Sequence, residues 1–226
     1  MNRIRTPVES EVSSMTKFTL NGCTQAFESM LSLIAPATCV ACDSVVFEPK
    51  RSGSVFCDAC APLVERETLG PAVFRYLGPA ADAVRRFKYG GRSDLSVPLA
   101  RAMTTLACDR FGGTIDAVVP IPLHPRKLRK RGYNQSALLA RPIAKRLAVP
   151  IEWHALKRTC DLPPQAGGSG LDRRARSGLF RGHRPSASIL LVDDVITTGA
   201  TLNDAERALY AAGALRVCRI ALCRTP

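Results

Sequence analysis

The sequence lacks any long apolar run. Its most apolar stretch, residues 189–192, ends at two aspartates, whereas a membrane-spanning helix needs roughly 18 or more apolar residues in succession. We also expect no secretory signal, because Glu9 and Glu11 interrupt the segment where such a signal carries its apolar core. These absences exclude membrane insertion and lead us to expect a cytoplasmic protein.

Acidic residues are scarce. The chain has 19 Asp and Glu against 32 Lys and Arg, a net charge of +13 and a pI near 9.8, which favours an acidic partner such as a phosphate. Residues 123–158 hold ten basic residues and a single acid, Glu152. Gly132, Tyr133 and Asn134 interrupt this block as they would in a ligand-binding loop, and a solvated basic face is the plainer alternative.

Strand and helix patterns alternate in the larger part of the chain. Its 226 residues, 46% of them hydrophobic, suit one globular domain with a smaller appendage. Short apolar runs predict strands at residues 73–77, 117–119, 151–153, 189–192 and 215–222, and helical spacing predicts helices at 80–87, 94–109, 134–147 and 199–212. We therefore predict an α/β fold with an open, mostly parallel sheet covered by helices on both faces.

Two residues carry local expectations. Pro142 predicts that helix 134–147 is kinked or shorter than its spacing indicates, and Trp153 is expected in the core.

The chain divides into three parts. Residues 1–22 are predicted to be a flexible polar tail. Residues 23–70 contain a short amphipathic helix at 24–34 and a cysteine motif, and residues 71–226 form the α/β domain.

Nine cysteines without an export signal indicate thiols rather than disulfides. Four of them form two Cys-x2-Cys pairs separated by fourteen residues, which is the spacing of a zinc ribbon. Four thiolates leave no open position for water, so we predict structural Zn²⁺ rather than catalytic metal. The alternative is four buried cysteines without a metal. The predicted ligands are Cys39, Cys42, Cys57 and Cys60.

Residues 189–201 give the strongest signal in the sequence. A buried strand delivers Asp193 and Asp194 to its carboxyl end, where open α/β sheets bind ligands. The turn that follows offers backbone N–H groups, threonine hydroxyls and a helix N-terminus to an anion, and Gly199 permits close approach of a phosphate. A ribose 5-phosphate ligand fits both parts. The plainer interpretation is a polar strand end followed by a helix cap.

This thirteen-residue segment resembles the phosphoribosyl pyrophosphate (PRPP) motif of type I phosphoribosyltransferases. Together with the cysteine pairs it is similar to the ComF/GntX family of amidophosphoribosyltransferase-like competence proteins, in which a zinc ribbon precedes a phosphoribosyltransferase domain. The resemblance extends over residues 31–222. Residues 87–90 resemble the family's lysine motif, residues 118–135 its pyrophosphate loop, and Gln165, Arg173 and Phe180 keep the spacing of its mobile hood.

The resemblance implies displacement of pyrophosphate from PRPP by an unknown acceptor, with Mg²⁺ bound alongside PRPP. Asp193 and Asp194 would be the catalytic pair that orients the ribose. A non-catalytic accessory protein that binds single-stranded DNA or a helicase partner, with a regulatory PRPP site, remains the alternative. The implied substrate-binding residues are Ile196, Thr197, Thr198, Gly199, Ala200, Thr201, Lys88, Pro122, Arg126, Arg131, Gln165 and Arg173.

Overall fold

The computed structural model describes residues 37–46, 55–159 and 178–226. The tail, the helix predicted at 24–34 and the hood residues Gln165 and Arg173 lie outside these ranges. Short 3-10 turns occur at Ala61–Leu63 and Ser93–Leu95. The regular elements, in chain order, are β1 (Ala72–Arg75), α1 (Gly78–Tyr89), α2 (Ser96–Phe111), β2 (Ala117–Pro120), α3 (Pro125–Arg131), α4 (Gln135–Leu147), β3 (Leu156–Arg158), β4 (Phe180–Gly182), β5 (Ser188–Ile196), α5 (Ala200–Ala211) and β6 (Arg216–Arg224).

Four strands form a parallel sheet in the order β1-β6-β5-β2. Val192 of β5 aligns with Ile220 of β6 and with Pro120 of β2, so the central strands end at a common edge. Neighbouring segments cover the two outer strands. Arg66 bridges Phe74 on one side and Ile151 bridges Val118 on the other. A second, antiparallel pair consists of β3 and β4.

Alternate residues of the central strands face two separate apolar layers. Leu190 and Val192 pack with Leu99 of α2 and Leu139 of α4 in one layer. On the other face, Ile189 and Leu191 of β5 pack with Leu202 and Leu209 of α5 and with the β3–β4 pair. Helices therefore cover both faces, as parallel sheets require. The predicted α/β class with a mostly parallel sheet is confirmed.

The cysteine segment shares a core with the sheet. Cys39, Val40 and Cys57 are buried in the same cluster as Val84 and Phe87 of α1. The ring of Phe56 meets the edge of Phe74 in β1 at a centroid distance of 5.6 Å. This packing ties the segment N-terminal to residue 70 directly to the α/β part of the chain.

Several local predictions differ from the structure. The helix predicted at 134–147 is not shortened at Pro142, because α4 runs from Gln135 to Leu147 with Asn134 as its N-cap. The expectation that Trp153 is buried is wrong: it is largely exposed, and the Arg141 guanidinium lies 5.7 Å from its ring centroid. Residues 151–153 contribute one bridge instead of a strand.

Two kinds of element were not predicted. Helix α3 lies in the basic block, and its sequence PRKLRKR carries no apolar stripe. The strands β3 and β4 have three residues each, too short for an alternating pattern. Within the described residues, no helix has the length and apolar character needed to cross a membrane.

Candidate functional site

The two aspartates lie near the carboxyl end of the central strand β5. Asp193 and Asp194 are both buried, with 8% and 7% exposure. The strand before them is fully buried, and the corresponding part of β6 flanks it on one side. Adjacent buried carboxylates are costly unless they have partners, so the groups around each one define the site.

Lys88, from the last turn of α1, is the partner of Asp194. Its Nζ lies 2.9 Å from Asp194 Oδ1. Burial would lower the pKa of Lys88, but the charges of Asp194 and Asp193 outweigh it and raise that pKa above its usual value. The lysine therefore stays charged against the carboxylates.

Asp193 is held by hydrogen bonds to one of its oxygens. Ser136 Oγ donates to Asp193 Oδ1 at 3.0 Å, and the backbone N–H of Asp194 donates to the same atom at 2.9 Å. Burial and the neighbouring Asp194 charge nevertheless raise the pKa of Asp193 to about 7. Sequence reasoning missed Ser136. No local pattern marks it, because its partner lies 57 residues away in the sequence.

The predicted phosphate turn follows directly. Gly199 adopts φ +76° and caps the N-terminus of α5, a backbone conformation that side chains with a Cβ rarely adopt. Thr197 and Thr198 are exposed in the turn. The first N–H groups of α5 point to the N-terminal end of the helix, where an anion is favoured. The N–H of Ala200 lies 3.4 Å from Thr198 Oγ1, and that of Asn203 donates to the Gly199 carbonyl at 2.9 Å.

Arginines surround a cavity next to this turn. The cavity has a volume of about 520 Å³ and is bordered by Thr197, Thr198 and Gly199 together with Arg110, Arg219 and Arg224. Its described lining contains no carboxylate. These three arginines are far apart in sequence and were not predicted, because only the fold brings the end of α2 and strand β6 to the turn.

The predicted pyrophosphate loop has an ordered arginine beside the lysine motif. Arg131 lies at the end of α3 and its Nη1 donates to Gln135 Oε1 at 3.2 Å. Its guanidinium is 5.0 Å from the ring centroid of Tyr89, the residue after Lys88. Pro122 follows β2 in the same region. Arg126 is exposed in the first turn of α3, and its side chain has no ion pair within the described residues.

The β3–β4 pair, which flanks the predicted hood in sequence, is anchored on α5. Asp204, which is buried, accepts hydrogen bonds from the backbone N–H groups of Gly178, Leu179 and Phe180 at 2.9, 2.7 and 3.2 Å. Gly182 lies against α5 so closely that a Cβ there would clash with the Ala208 carbonyl oxygen. Asp204 was not predicted. It lies in α5, one turn after the predicted phosphate turn, and connects the start of that helix to the chain leading into β4.

The four predicted zinc ligands converge. The Sγ atoms of Cys39, Cys42, Cys57 and Cys60 all lie within 4.8 Å of one another. Cys42 Sγ is 3.7 Å from the Sγ atoms of both Cys57 and Cys60. Tetrahedral zinc with Zn–S bonds of about 2.3 Å places its sulfurs about 3.8 Å apart, so the thiols fit a structural zinc ion.

Comparison with known proteins identifies relatives that match more than half of the chain. No protein-family model matches the chain. It is 30% identical over 148 residues to competence protein F of Haemophilus influenzae, across 61% of this chain and 65% of that protein. It is 32% identical over 157 residues to DNA utilization protein YhgH of Escherichia coli K12, across 66% of this chain and 69% of that protein. Each match thus spans about two thirds of the relative's length.

Two of the solved structures that match part of the chain are an adenine phosphoribosyltransferase and a glutamine PRPP amidotransferase. Adenine phosphoribosyltransferase from Saccharomyces cerevisiae is 16% identical with a TM-score of 0.41, and the match covers 74% of this chain and 86% of that one. Glutamine PRPP amidotransferase from Bacillus subtilis is 17% identical with a TM-score of 0.41, and the match covers 61% of this chain and 30% of that one.

Proposed function

Since the chain belongs to the ComF/GntX family of amidophosphoribosyltransferase-like competence proteins, we propose that it binds PRPP where β5 meets α5. One observation carries the proposal. The buried Asp193–Asp194 pair, with Lys88 as its cation, lies directly before a glycine turn that opens a helix. Carboxylates beside an anion cradle suit a ligand with vicinal hydroxyls and a phosphate, and ribose 5-phosphate compounds have both.

Each part of the site has a distinct task in this proposal. The Oδ2 atoms of Asp193 and Asp194, which have no hydrogen bond within the described residues, accept hydrogen bonds from the ribose hydroxyls. The 196–201 turn holds the 5′-phosphate. Arg131 and Lys88 face the pyrophosphate. When a nucleophile attacks C1′, the C1′–O bond to pyrophosphate breaks and positive charge develops on the sugar ring. The carboxylates stabilise that charge electrostatically, and the cations hold the leaving group.

The residues present also fit a magnesium ion that arrives with PRPP. Mg²⁺ in such sites is bound by one or two carboxylates together with substrate phosphates, and Asp193 and Asp194 each keep one oxygen without a hydrogen bond within the described residues. When bound, the ion neutralises charge on the pyrophosphate. The cysteine cluster serves a different purpose, because four thiolates hold structural zinc.

A second candidate function rests on α3. Arg126, Arg129 and Lys130 are exposed on this helix, which has no acidic residue, and such a surface attracts a nucleic-acid backbone. The relatives named for competence and DNA utilization agree with a role in DNA uptake. In this alternative the protein is non-catalytic, it binds single-stranded DNA or a helicase partner, and PRPP regulates that binding. Steeply salt-dependent binding to single-stranded DNA would favour it.

We further propose a cytoplasmic location, because the cysteine cluster needs reduced thiols.

The molecule that accepts the phosphoribosyl group can be identified by direct screening. The assay measures pyrophosphate release from PRPP in the presence of a panel of nucleobases and amines. A transferase should release pyrophosphate with one of these acceptors, whereas a regulatory PRPP-binding protein should release no pyrophosphate with any of them.

PRPP binding is tested by titration calorimetry with Mg²⁺. Wild-type protein should bind, and the double variant Asp193→Asn/Asp194→Asn should lose roughly 100-fold in affinity, since two charged hydrogen-bond acceptors are neutralised. Asp82→Asn is the control, because it removes an exposed carboxylate paired with Arg85 on α1. Equal heats for wild type and the double variant would exclude this site.

A further inference from the structure

The first cysteine turn carries an acidic residue between Cys42 and Ser44. Asp43 adopts φ +63°, and its backbone N–H donates to the Cys39 carbonyl at 3.0 Å. Its carboxylate binds two cations. Oδ2 accepts from Arg86 Nη2, and Oδ1 accepts from Arg92 Nη1 at 2.7 Å. The cysteine turn therefore contacts one residue inside the last turns of α1 and one residue just after the helix ends.

That end of α1 also supplies the cation of the candidate site. Arg86 precedes Lys88 by two residues, and Lys88 Nζ lies 2.9 Å from Asp194 Oδ1. The residue between them, Phe87, is fully buried and its carbonyl accepts from the Tyr133 hydroxyl at 2.5 Å. In a helix, residues this close move together. The cysteine turn therefore contacts α1 two residues before Lys88.

The Arg86 end of this contact is better shielded than an ordinary surface arginine. The Arg86 side chain is only 23% exposed and that of Asp43 is 48% exposed. By comparison, Asp82 and Arg85, an ion pair on the same helix, are 53% and 59% exposed. Ion pairs gain strength as water is excluded and when several charges form a network. Cys39 and Phe87 also share one apolar cluster, so the turn and the helix have little freedom to shift independently.

We propose that Asp43 is a positioning residue that couples the zinc-bound cysteine turn to Lys88, so that zinc occupancy sets the affinity of the sugar-phosphate site. The ligand part of this inference rests on the proposed PRPP binding. Zinc fixes the backbone of the turn, Asp43 passes that geometry to Arg86 and Arg92, and Lys88 is thereby held against Asp194. Because coupling between sites is reciprocal, bound PRPP tightens zinc binding by the same factor.

The first test compares Asp43→Asn with Asp82→Asn in the zinc-loaded full chain. Asparagine tolerates a left-handed backbone, so the turn keeps its shape while the carboxylate charge is lost. We expect one zinc per chain in both variants. We expect PRPP affinity to fall by roughly threefold to tenfold in Asp43→Asn and to stay within about twofold of wild type in Asp82→Asn. Equal losses in the two variants would show a general charge effect and overturn the inference.

The second test follows the helix itself and does not need PRPP. Backbone hydrogen exchange at residues 86–90 should be faster in Asp43→Asn than in wild type, and chelating the zinc from wild type should speed the same amides. Arg92→Gln removes the second contact of Asp43 and, with it, the ion pair between Arg92 and Asp94 at 2.7 Å. Asp94→Asn, which breaks only that ion pair, is its matched control. If Asp43→Asn fails to fold, faster exchange at residues 86–90 in Arg92→Gln than in Asp94→Asn supports the coupling, and equal exchange in the two refutes it. Unchanged exchange in these variants would refute the coupling.

The two measurements separate failure of this inference from failure of the proposed function. If wild type does not bind PRPP but exchange at residues 86–90 responds to Asp43→Asn, the PRPP assignment fails and the positioning role stands. If wild type binds PRPP and zinc-loaded Asp43→Asn binds it equally well, the positioning role fails and the PRPP assignment stands.

Discussion

Replacing Asp193 by asparagine should stabilise the ligand-free protein, and the gain should grow with pH. The asparagine side chain has the same shape as the native aspartate and would still accept the hydrogen bond from Ser136, but it carries no charge. The wild-type carboxyl is buried beside Asp194, and together these raise its pKa from 3.8 to about 7. Ionising it is therefore harder in the folded protein than in the unfolded chain.

The sign and size of the effect follow from this difference. A raised pKa in the folded state means that the contribution to stability is fully present below pH 3.8 and is lost as the pH rises through about 7. A difference of about three units is worth roughly 4 kcal/mol at about 1.4 kcal/mol per unit. The stability difference between Asp193→Asn and wild type should grow by roughly 2 kcal/mol between about pH 5.5 and 8.5. The cysteines can keep their zinc in this pH range.

Urea unfolding of zinc-loaded wild type and Asp193→Asn at several pH values measures the free energy of unfolding directly. Taking the difference between the two proteins at each pH cancels the pH dependence of the shared zinc site. Asp82→Asn is again the exposed control. A stability difference between Asp193→Asn and wild type that stays constant with pH, or a variant less stable than wild type at pH 8.5, would refute the burial argument.

Two further predictions concern the metal and the basic loop. Removing zinc with a chelator should lower the melting temperature by about 5 °C or more, equivalent to roughly 2 kcal/mol, and a melting curve that does not move would count against a structural zinc site. Arg131→Ala should weaken PRPP binding by roughly tenfold and ribose 5-phosphate binding by less than about threefold, because the lost charged contact is to the pyrophosphate. Arg129→Ala on the same helix is the control, and equal losses for both ligands with Arg131→Ala would contradict the assignment.

Features encoded in short stretches of sequence could be predicted. The two cysteine pairs lie within residues 39–60, and the strand, turn and helix of the candidate site lie within residues 189–212. In each segment the spacing along the chain determines which side chains converge. The structure brings together the cysteine sulfurs and places the two aspartates, the turn and α5 in the expected order. Lys88 came from the family resemblance, and its 2.9 Å contact with Asp194 required the fold.

Features that depend on contacts between distant segments could not be predicted. Ser136 meets Asp193 across 57 positions of sequence and Asp43 meets Arg86 across 43, and no local pattern encodes either distance. Asp204 has no local pattern that marks its role, because it binds backbone N–H groups 24 to 26 residues away in the sequence. The strands β3 and β4 that pack on α5 beside it are too short to show a period.

The cysteine segment illustrates how local and distant effects combine. Residues 37–46 and 55–60 are too few to build an apolar core of their own, so their folding depends on the metal and on packing against the α/β part. Cys39 and Cys57 are buried against α1 and β1, so a metal ion bound by the four thiols would lie beside the main core. We therefore expect its stabilising effect to extend to α1, which carries Lys88 of the candidate site. A chelation experiment that records both global melting and exchange at residues 86–90 therefore distinguishes a zinc ribbon that merely folds by itself from one that supports α1.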